Sequence, residues 1–271
     1  MKFSSRDLHI HTSLSSCAAR TADASGYIAA AARGGLELIG FANHYWDEAV
    51  PGASGWYAPQ NTVHVLSLKN ELTKCAETVL KEPGAPRVIF GCETEYANGT
   101  LGISREHAEL FDYVLVPHSH THMRGFVLPD SCDTPRKHAD YLVRSFLGVA
   151  NHPLADRITG IVHPFVPVGT ADEPACELLS LITDSDFSEC ARAAFENNIA
   201  IELNTSSLAH ASDKLMYEYS RFFHCCKDAG CAFFAGSDKH DIICEPEKDI
   251  FFTVDEIAEK LFGSEVRMLE L

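Results

Sequence analysis

The amino-acid sequence predicts an α/β fold built on a parallel sheet. Seven apolar, β-rich segments alternate with segments of helical periodicity along the 271 residues, and this alternation is typical of parallel strands covered by helices. The hydrophobic content of 46% is sufficient for a sizeable core. Because α/β barrels of about 200 to 250 residues routinely form one domain, we expect a single domain over residues 1–271.

The individual elements follow from local composition. The predicted strands are rich in β-branched and aromatic residues and cover residues 6–11, 36–41, 88–92, 113–116, 160–162, 200–203 and 231–234. The helical segments that follow them cover residues 24–33, 63–80, 105–110, 135–149, 185–197, 213–227 and 255–261. The spacing of these elements fits both a closed barrel and an open, doubly wound sheet.

The charge balance argues against two classes of partner. With 38 acidic and 22 basic residues the formal net charge is −16, so the surface should repel nucleic acid and anionic membranes. The sequence has neither an N-terminal apolar signal segment nor an apolar run of about 18 residues. We therefore expect a cytoplasmic protein with no membrane partner. The ten cysteines are scattered, which predicts mostly reduced, buried thiols.

Residues of metal-ligating types close the predicted strands. They are His9 and His11, Asn43 and His44, Glu93, His118, His163, Asn204, and Asp238 with His240. In a closed barrel the C-terminal ends of all strands meet at one face, so these residues would converge on one pocket. Unrelated polar caps would instead favour Ser, Thr, Asp and Asn over histidine. The pattern favours the barrel and predicts a metal centre.

The first predicted strand carries the clearest chelating motif. Residues two apart on a strand point to the same side, so His9 and His11 should face one side, and Leu8 and Ile10 the other. Imidazole nitrogen combined with carboxylate oxygen suits zinc, manganese or iron, whereas calcium and magnesium prefer oxygen ligands. A bridging Glu93 carboxylate would hold two cations together, so we expect two to three divalent ions.

Three further residues are predicted to contact substrate. His120 follows His118 in a histidine-rich loop, Arg124 could bind phosphate through two parallel hydrogen bonds, and Asn204 ends a predicted strand. A solvated surface position is the alternative for Arg124, and a plain loop position is the alternative for His120.

Together, these segments resemble the polymerase and histidinol phosphatase (PHP) family. The resemblance runs in order through DLHIHT at residues 7–12, residues 35–44, GCE at 91–93, residues 112–118, VHP at 162–164 and GSDKH at 236–240. It implies a distorted seven-stranded (β/α)7 barrel of the TIM type, with up to three metals at the C-terminal ends of the strands.

The resemblance also implies three sets of ligands. One metal would be held by His9, His11, Glu93 and Asp238, a second by Glu93, His118 and His163, and a third by Cys17, His44 and His240. Histidine is more usual in the family where this sequence has Cys17, and Asp is more usual where it has Asn43. A cysteine thiolate is itself a competent ligand for zinc or iron, although an empty third site is the alternative.

From the metal residues and the resemblance, we expect hydrolysis of a small phosphomonoester, histidinol phosphate or similar, by a metal-bound hydroxide. Glu93, Asp238 and His240 are the predicted catalytic residues. One alternative is a nuclease or nucleotide phosphodiesterase, although no basic stripe with interleaved aromatic residues marks a polynucleotide track. An amidohydrolase is another, but no lysine is placed to bridge metals as a carbamate. A metal-binding barrel without catalysis is the alternative from outside enzymes.

Overall fold

In the computed structural model, residues 2–242 and 248–271 are described. The strands are β1 Arg6–Ile10, β2 Leu38–Tyr45, β3 Arg87–Thr94, β4 Tyr96–Ala97, β5 Thr100–Leu101, β6 Tyr113–Pro117, β7 Gly160–Val162, β8 Ala200–Asn204 and β9 Phe233–Gly236. The α-helices are α1 Ala24–Gly34, α2 Thr62–Glu77, α3 Arg105–Ala108, α4 Pro135–Ala150, α5 Asp172–Ser180, α6 Asp184–Glu196, α7 Thr205–Leu208, α8 Asp213–Ala229 and α9 Val254–Phe262.

Seven parallel strands form a nearly closed barrel in the order β1, β2, β3, β6, β7, β8, β9. The two edge strands of this sheet, β1 and β9, are joined by hydrogen bonds at their C-terminal ends. The His11 N–H donates to the Lys239 carbonyl at 2.9 Å, and the Asp238 N–H donates to the His9 carbonyl at 2.8 Å. At the opposite end of β9, the Leu269 N–H donates to the Phe233 carbonyl at 2.8 Å. The prediction of a distorted (β/α)7 barrel is confirmed.

A small apolar cluster fills the barrel interior. It takes at least one side chain from each of the seven strands, namely Leu8, Leu38, Ala42, Ile89, Tyr113, Leu115, Val162, Ala200 and Phe234. A larger cluster lies between the strands and the surrounding helices and contains Ile10. The expectation that Leu8 and Ile10 share one side was wrong, because the pairing of β1 with β2 shifts register between Asp7 and Ile10.

Polar side chains line the barrel beyond the interior cluster, towards the C-terminal ends of the strands. Strands β2 and β3 continue beyond their predicted ends and stay paired, with His44 beside Glu93 and Asn43 beside Cys92. The ligand-type residues of these two strands are therefore held within the regular sheet.

The helices differ from prediction mainly in the connection between β7 and β8. The sequence predicted one helix there, whereas the structure has α5 and α6. Helix α6 begins with a capping box in which Thr183 and Asp186 exchange hydrogen bonds with each other's backbone. Helix α5 follows Ala171 and has no side-chain cap, so the usual start signal is missing. Helix α2 ends at Glu77, before the predicted residue 80, because the backbone of Thr78 leaves the helical region.

Two expectations about composition can be compared with the described residues. Their cysteines are all free thiols, and most of them are buried as expected. Within residues 2–242 and 248–271, no helix combines the length and the apolar character needed to cross a bilayer.

Candidate metal centre

Histidines and carboxylates meet at the C-terminal end of the barrel. Three groups of side chains have ligand atoms within 4.8 Å of one another: His9, His11 and Asp238; His11, His44 and His240; and Glu93, His120 and His163. Except for Asp238 and His240, which are partly exposed, these side chains are buried. The arrangement is a continuous layer of imidazole nitrogens and carboxylate oxygens above the apolar interior.

The imidazole rings of His9 and His11 direct their Nε2 atoms towards each other. Their Nε2 atoms lie 3.0 Å apart, and the Nε2 of His11 lies 3.1 Å from Asp238 Oδ1 and 3.4 Å from Glu93 Oε2. The expected common direction of the two side chains is therefore present. Two nitrogen lone pairs at this distance repel each other unless a proton or a metal cation lies between them.

The two carboxylate oxygens of Glu93 face two different sets of histidines. Oε2 lies 2.8 Å from His44 Nδ1, on the side of His9 and His11. Oε1 lies 3.1 Å from His163 Nε2 and 3.9 Å from His120 Nε2. A carboxylate placed in this way is able to bridge two cations.

The opposite ring nitrogen of each of five histidines is held by an acceptor. The Nδ1 of His9 contacts Glu202 at 2.7 Å, and that of His120 contacts Glu95 at 2.7 Å. The Nδ1 of His240 lies 2.8 Å from the Asp238 carbonyl. Carboxylates and carbonyls accept hydrogen bonds, so these contacts place the proton on Nδ1 and leave Nε2 free to ligate.

Hydroxyl groups hold the other two histidines. The Ser119 hydroxyl donates to the His163 carbonyl at 2.9 Å, so it accepts from His163 Nδ1 at 3.0 Å. The Ser15 hydroxyl lies 3.0 Å from Asn43 Oδ1 and 3.1 Å from His11 Nδ1. Asn43 Oδ1 is an acceptor because it also takes the Thr12 N–H at 2.7 Å. All five imidazoles are thus fixed through Nδ1, and His9, His11, His120 and His163 direct Nε2 towards Glu93 or Asp238.

The charges of the site favour a cation. Burial would lower the pKa of His9, but Glu202, Asp238 and Glu93 outweigh it and raise this pKa well above its usual range. Burial, together with the charge of His44, holds the pKa of His11 well below its usual range, so His11 is neutral, which is the ligating form.

The backbone is strained at two of these positions. His163 and Asp238 have positive φ angles of 30° and 53°, a region that non-glycine residues rarely adopt. On β9, a Cβ atom at Gly236 would overlap Glu202 Oε1 and lie 2.7 Å from the His9 Cβ. Glycine is therefore required where β9 passes the His9 and Glu202 pair.

The structure does not bring His118 to the centre. Its Nε2 accepts the Phe165 N–H at 2.9 Å, and its Nδ1 lies 3.2 Å from the Leu142 carbonyl. Burial and the charge of His163 lower its pKa to about 3. The ring packs edge-on against Phe146 and Phe165, outside the barrel.

His120 occupies the position beside Glu93 and His163 that the sequence predicted for His118. The alternation of β6 contains the missed signal, because Val114 and Val116 pack in the outer cluster and Leu115 in the interior. Continued by two residues, that alternation directs His118 outward. His120 lies beyond the strand, where alternation gives no direction.

Asn204 does not reach the cavity either. It is buried, its Oδ1 accepts the Ser207 N–H at the start of α7 at 3.0 Å, and its Nδ2 donates to Glu202 at 3.1 Å. Both ends of the amide are occupied, so Asn204 supports Glu202 and caps a helix. The prediction that it contacts substrate does not fit this geometry.

Cys17 lies at the rim of the site, beside His44 and His240. It is exposed and lines the same cavity as His44 and His240. Burial raises the pKa of the thiol, but hydrogen bonds from His240 and His44 outweigh this and lower it to about 6. A thiolate at this place is chemically suited to zinc or iron.

A cavity of about 760 Å³ opens above the centre. Its wall includes His44, His120, Asp238 and His240, and Arg124 stands on it in an exposed position. A second cavity of about 380 Å³ adjoins it, and Arg124 lines both. The predicted substrate contacts of His120 and Arg124 stay predictions, with both side chains in a suitable place.

The donor set fits divalent metal ions. Glu93 Oε2 and His44 Nδ1 are buried and have no hydrogen-bond partner among the described residues, although they lie 2.8 Å apart. Together with the facing Nε2 atoms of His9 and His11, this arrangement suits ligands around a shared cation.

Solved structures share this fold. No protein-family model and no curated protein matches the sequence. A histidinol phosphate phosphatase from Lactococcus lactis, in complex with zinc, L-histidinol and phosphate, matches with a TM-score of 0.61 and 19% identity, over 96% of this chain and 93% of that chain. A second match comes from the structures of the metal-dependent tyrosine phosphatases YwqE from Bacillus subtilis and CpsB from Streptococcus pneumoniae. It has a TM-score of 0.53 and 18% identity, and it covers 96% of this chain and 88% of that chain.

The chain has the fold of these phosphatases. The resemblance noted in the sequence is thus confirmed at the level of the fold.

Sequence reasoning missed two buried carboxylates that orient histidines. Glu202 lies two residues before Asn204 on β8 and holds His9, and it also accepts the His163 N–H at 2.5 Å. Glu95 lies two residues after Glu93 and holds His120. In both cases a charged residue two positions from a predicted site residue was the available signal, because alternation puts such pairs on one side of a strand.

Proposed function

We propose that this protein is a metal-dependent phosphoesterase that hydrolyses a small phosphomonoester, with histidinol phosphate as the first compound to test. One observation carries the proposal: five imidazoles are held through Nδ1, and the Nε2 atoms of four of them, His9, His11, His120 and His163, face Glu93 or Asp238. Such fixation of the far ring nitrogen is typical of metal-ligating histidines. We also take residues 1–271 as one domain, since the described elements surround a single barrel.

The geometry supports a revised assignment of ligands. His9, His11, Asp238 and Glu93 Oε2 would hold one ion. Glu93 Oε1, His120 and His163 would hold a second, so that His120 replaces His118. A third ion would take His44, His240 and Cys17. Imidazole, carboxylate and thiolate suit zinc, iron or manganese.

Divalent cations bound there would withdraw charge from the phosphoryl oxygens and activate a water molecule as the nucleophile. The protein's own residues fix the geometry for this reaction. Glu202 and Glu95 orient His9 and His120, and Glu93 sets the distance between two ligand groups. His240 lies on the cavity wall, where it can contact the phosphate.

Arg124 supports binding of an anionic substrate. It is the one lysine or arginine among the described residues that line the cavity above the metal centre, and a guanidinium can bind phosphate through two hydrogen bonds. One exposed cation is too few to follow a polynucleotide backbone, which favours a small substrate. The names of the structural neighbours, which are phosphatases of histidinol phosphate and of tyrosine, are compatible with this class.

The test combines metal analysis with phosphate release from histidinol phosphate, an aryl phosphate and single-stranded DNA. We expect two to three zinc, iron or manganese ions per chain and release from the phosphomonoesters only. Glu93→Ala should lower metal content and reduce kcat/KM by at least about a hundredfold. Glu256→Ala, which changes an exposed glutamate on α9, is the matched control. Normal turnover by Glu93→Ala would refute the proposal.

A further inference from the structure

The wall of the cavity above the metal centre is built in two chemically different halves. One half carries the imidazoles and Asp238, and the other carries Trp56, Met123, Phe126 and Val168. Trp56 is a large apolar side chain that remains 37% exposed. An exposed indole in a binding cavity requires an explanation, because it would gain free energy from contact with an apolar ligand.

The loop that carries Trp56 is held firmly in place. Gln60, which is buried, donates from its side chain to the Trp56 carbonyl at 3.1 Å and accepts the Ser16 N–H at 3.1 Å. Tyr57 is also buried, and its hydroxyl donates to Glu95 at 3.2 Å. These contacts hold the Trp56 carbonyl and the neighbouring Tyr57, so the position of Trp56 is set before any ligand arrives.

Two rings fix the indole itself. Its ring lies edge-on to His44, with centroids 4.9 Å apart, and edge-on to Tyr57, also at 4.9 Å. Phe126, which lines the same wall, packs on Trp46 at 5.5 Å and on Tyr57 at 6.1 Å. The apolar half is therefore a rigid aromatic surface next to the proposed metal ligands.

A second observation at the same place points to a ligand. Ser54 lines the cavity, and its hydroxyl is buried and has no hydrogen-bond partner among the described residues. A buried hydroxyl without a partner costs free energy unless a ligand or water supplies one. Ser54 and Trp56 belong to one short segment, so an apolar face and a polar group without a partner lie close together beside the cavity.

The charges of the wall limit what the apolar half can accept. Asp238 is the only carboxylate among the described residues that line the cavity, and it already faces His11 at 3.1 Å. No other carboxylate there is available for an ammonium group, while Arg124 and the divalent ions would repel one. A neutral leaving group fits better than a positively charged one.

We infer that Trp56 determines specificity by binding a flat, uncharged ring in the leaving group of the substrate. The inference rests on the proposed function and narrows it: phosphate esters of neutral, ring-bearing alcohols should react better than esters that carry an ammonium group, including histidinol phosphate. The phosphate lies at the metal centre, and the ring lies against the indole, next to Ser54.

The kinetic test compares benzyl phosphate with cyclohexylmethyl phosphate in the metal-loaded enzyme, because the two esters are similar in size and differ in the flatness of the ring. We expect Trp56→Ala to lower kcat/KM for benzyl phosphate about five- to tenfold and to change that for cyclohexylmethyl phosphate less than twofold. Trp56→Phe should restore most of the difference. Tyr217→Ala, which removes an exposed aromatic side chain on α8, should change neither. Equal losses for both esters would overturn the inference.

Histidinol phosphate gives the third arm of the same kinetic test. The wild type should have a lower kcat/KM for histidinol phosphate than for benzyl phosphate, because an ammonium group finds no free carboxylate in the cavity. A preference for histidinol phosphate would overturn the inference and leave the proposed function intact.

A binding measurement separates this inference from the proposed function. A nitrobenzylphosphonate, which is not hydrolysed, should quench tryptophan fluorescence on contact with the indole. Trp46 is only 2% exposed, so the quenching should disappear in Trp56→Phe. Quenching without phosphatase activity would support the ring site and refute the proposed reaction. Activity without quenching would do the reverse.

Discussion

The two sides of Glu93 are built in different ways. On the Oε2 side, His9 lies within β1 and His44 within β2, His11 directly follows β1, and Asp238 lies two residues after β9. On the Oε1 side, His120 and His163 lie beyond the ends of β6 and β7. Regular strands therefore position two residues of the first side, His9 and His44, whereas loop conformation positions both histidines of the second. The contrast explains why the sequence predicted that His9 and His44 reach the site but selected His118 instead of His120.

The largest expected effect distinguishes His120 from His118. His120→Ala should remove one bound ion and lower kcat/KM by at least about a hundredfold. His118→Ala should keep the metal content and lower the free energy of unfolding by about 2 to 3 kcal/mol, because it leaves a buried void and removes the acceptor of the Phe165 N–H. Metal analysis and chemical denaturation of both variants test this. Loss of an ion in His118→Ala alone would restore the original assignment.

The next effect compares the carboxylates that orient histidines on the two sides. Glu202→Gln and Glu95→Gln keep the side-chain volume but weaken the hydrogen bonds to His9 and His120. Each should weaken metal affinity about 10- to 100-fold, measured by competition with a chelator. Glu202→Gln should affect the ion near His9, and Glu95→Gln the ion near His120. An unchanged affinity in both variants would show that these contacts serve only packing.

Cys17 should produce a smaller effect, confined to the proposed third ion at His44 and His240. With cobalt as a probe, the wild type should show a sulfur-to-metal charge-transfer absorption that Cys17→Ser lacks. Cys17→Ser should also release the third ion more readily while the other two remain. The same absorption in both forms would exclude Cys17 as a ligand.

The smallest effect concerns Asn204. Asn204→Ala removes the cap of α7 and one hydrogen bond to Glu202, and it should cost about 1 kcal/mol of stability. The KM for a phosphomonoester should change less than twofold, since the side chain lies away from the cavity. A large increase in KM at unchanged stability would return Asn204 to the substrate site.

Much of the fold and of the metal centre could be predicted from local patterns. Alternating β and α segments determine the parallel sheet, and the histidines and carboxylates at the strand ends indicate one pocket. The spacing of His9 and His11 predicted their common direction. The spacing of Glu93 and Glu95 contained the same information, which was not used. These features depend on the two-residue period of a strand, so they can be read without the rest of the molecule.

Other features were decided only by tertiary structure. Leu8 and Ile10 lie on different sides of the strand because β1 shifts its register against β2. The side chain of His163 points inward because its backbone adopts a positive φ angle. Glu202 contacts His9 because barrel closure brings β8 and β9 close to β1. Gly236 on β9 leaves the space in which the two side chains make this contact. These contacts join residues that are far apart in sequence, and the energy of packing and hydrogen bonding between them overrides local preference. The sequence by itself therefore specified the types of ligand, and the folded barrel decided which side chains face the centre.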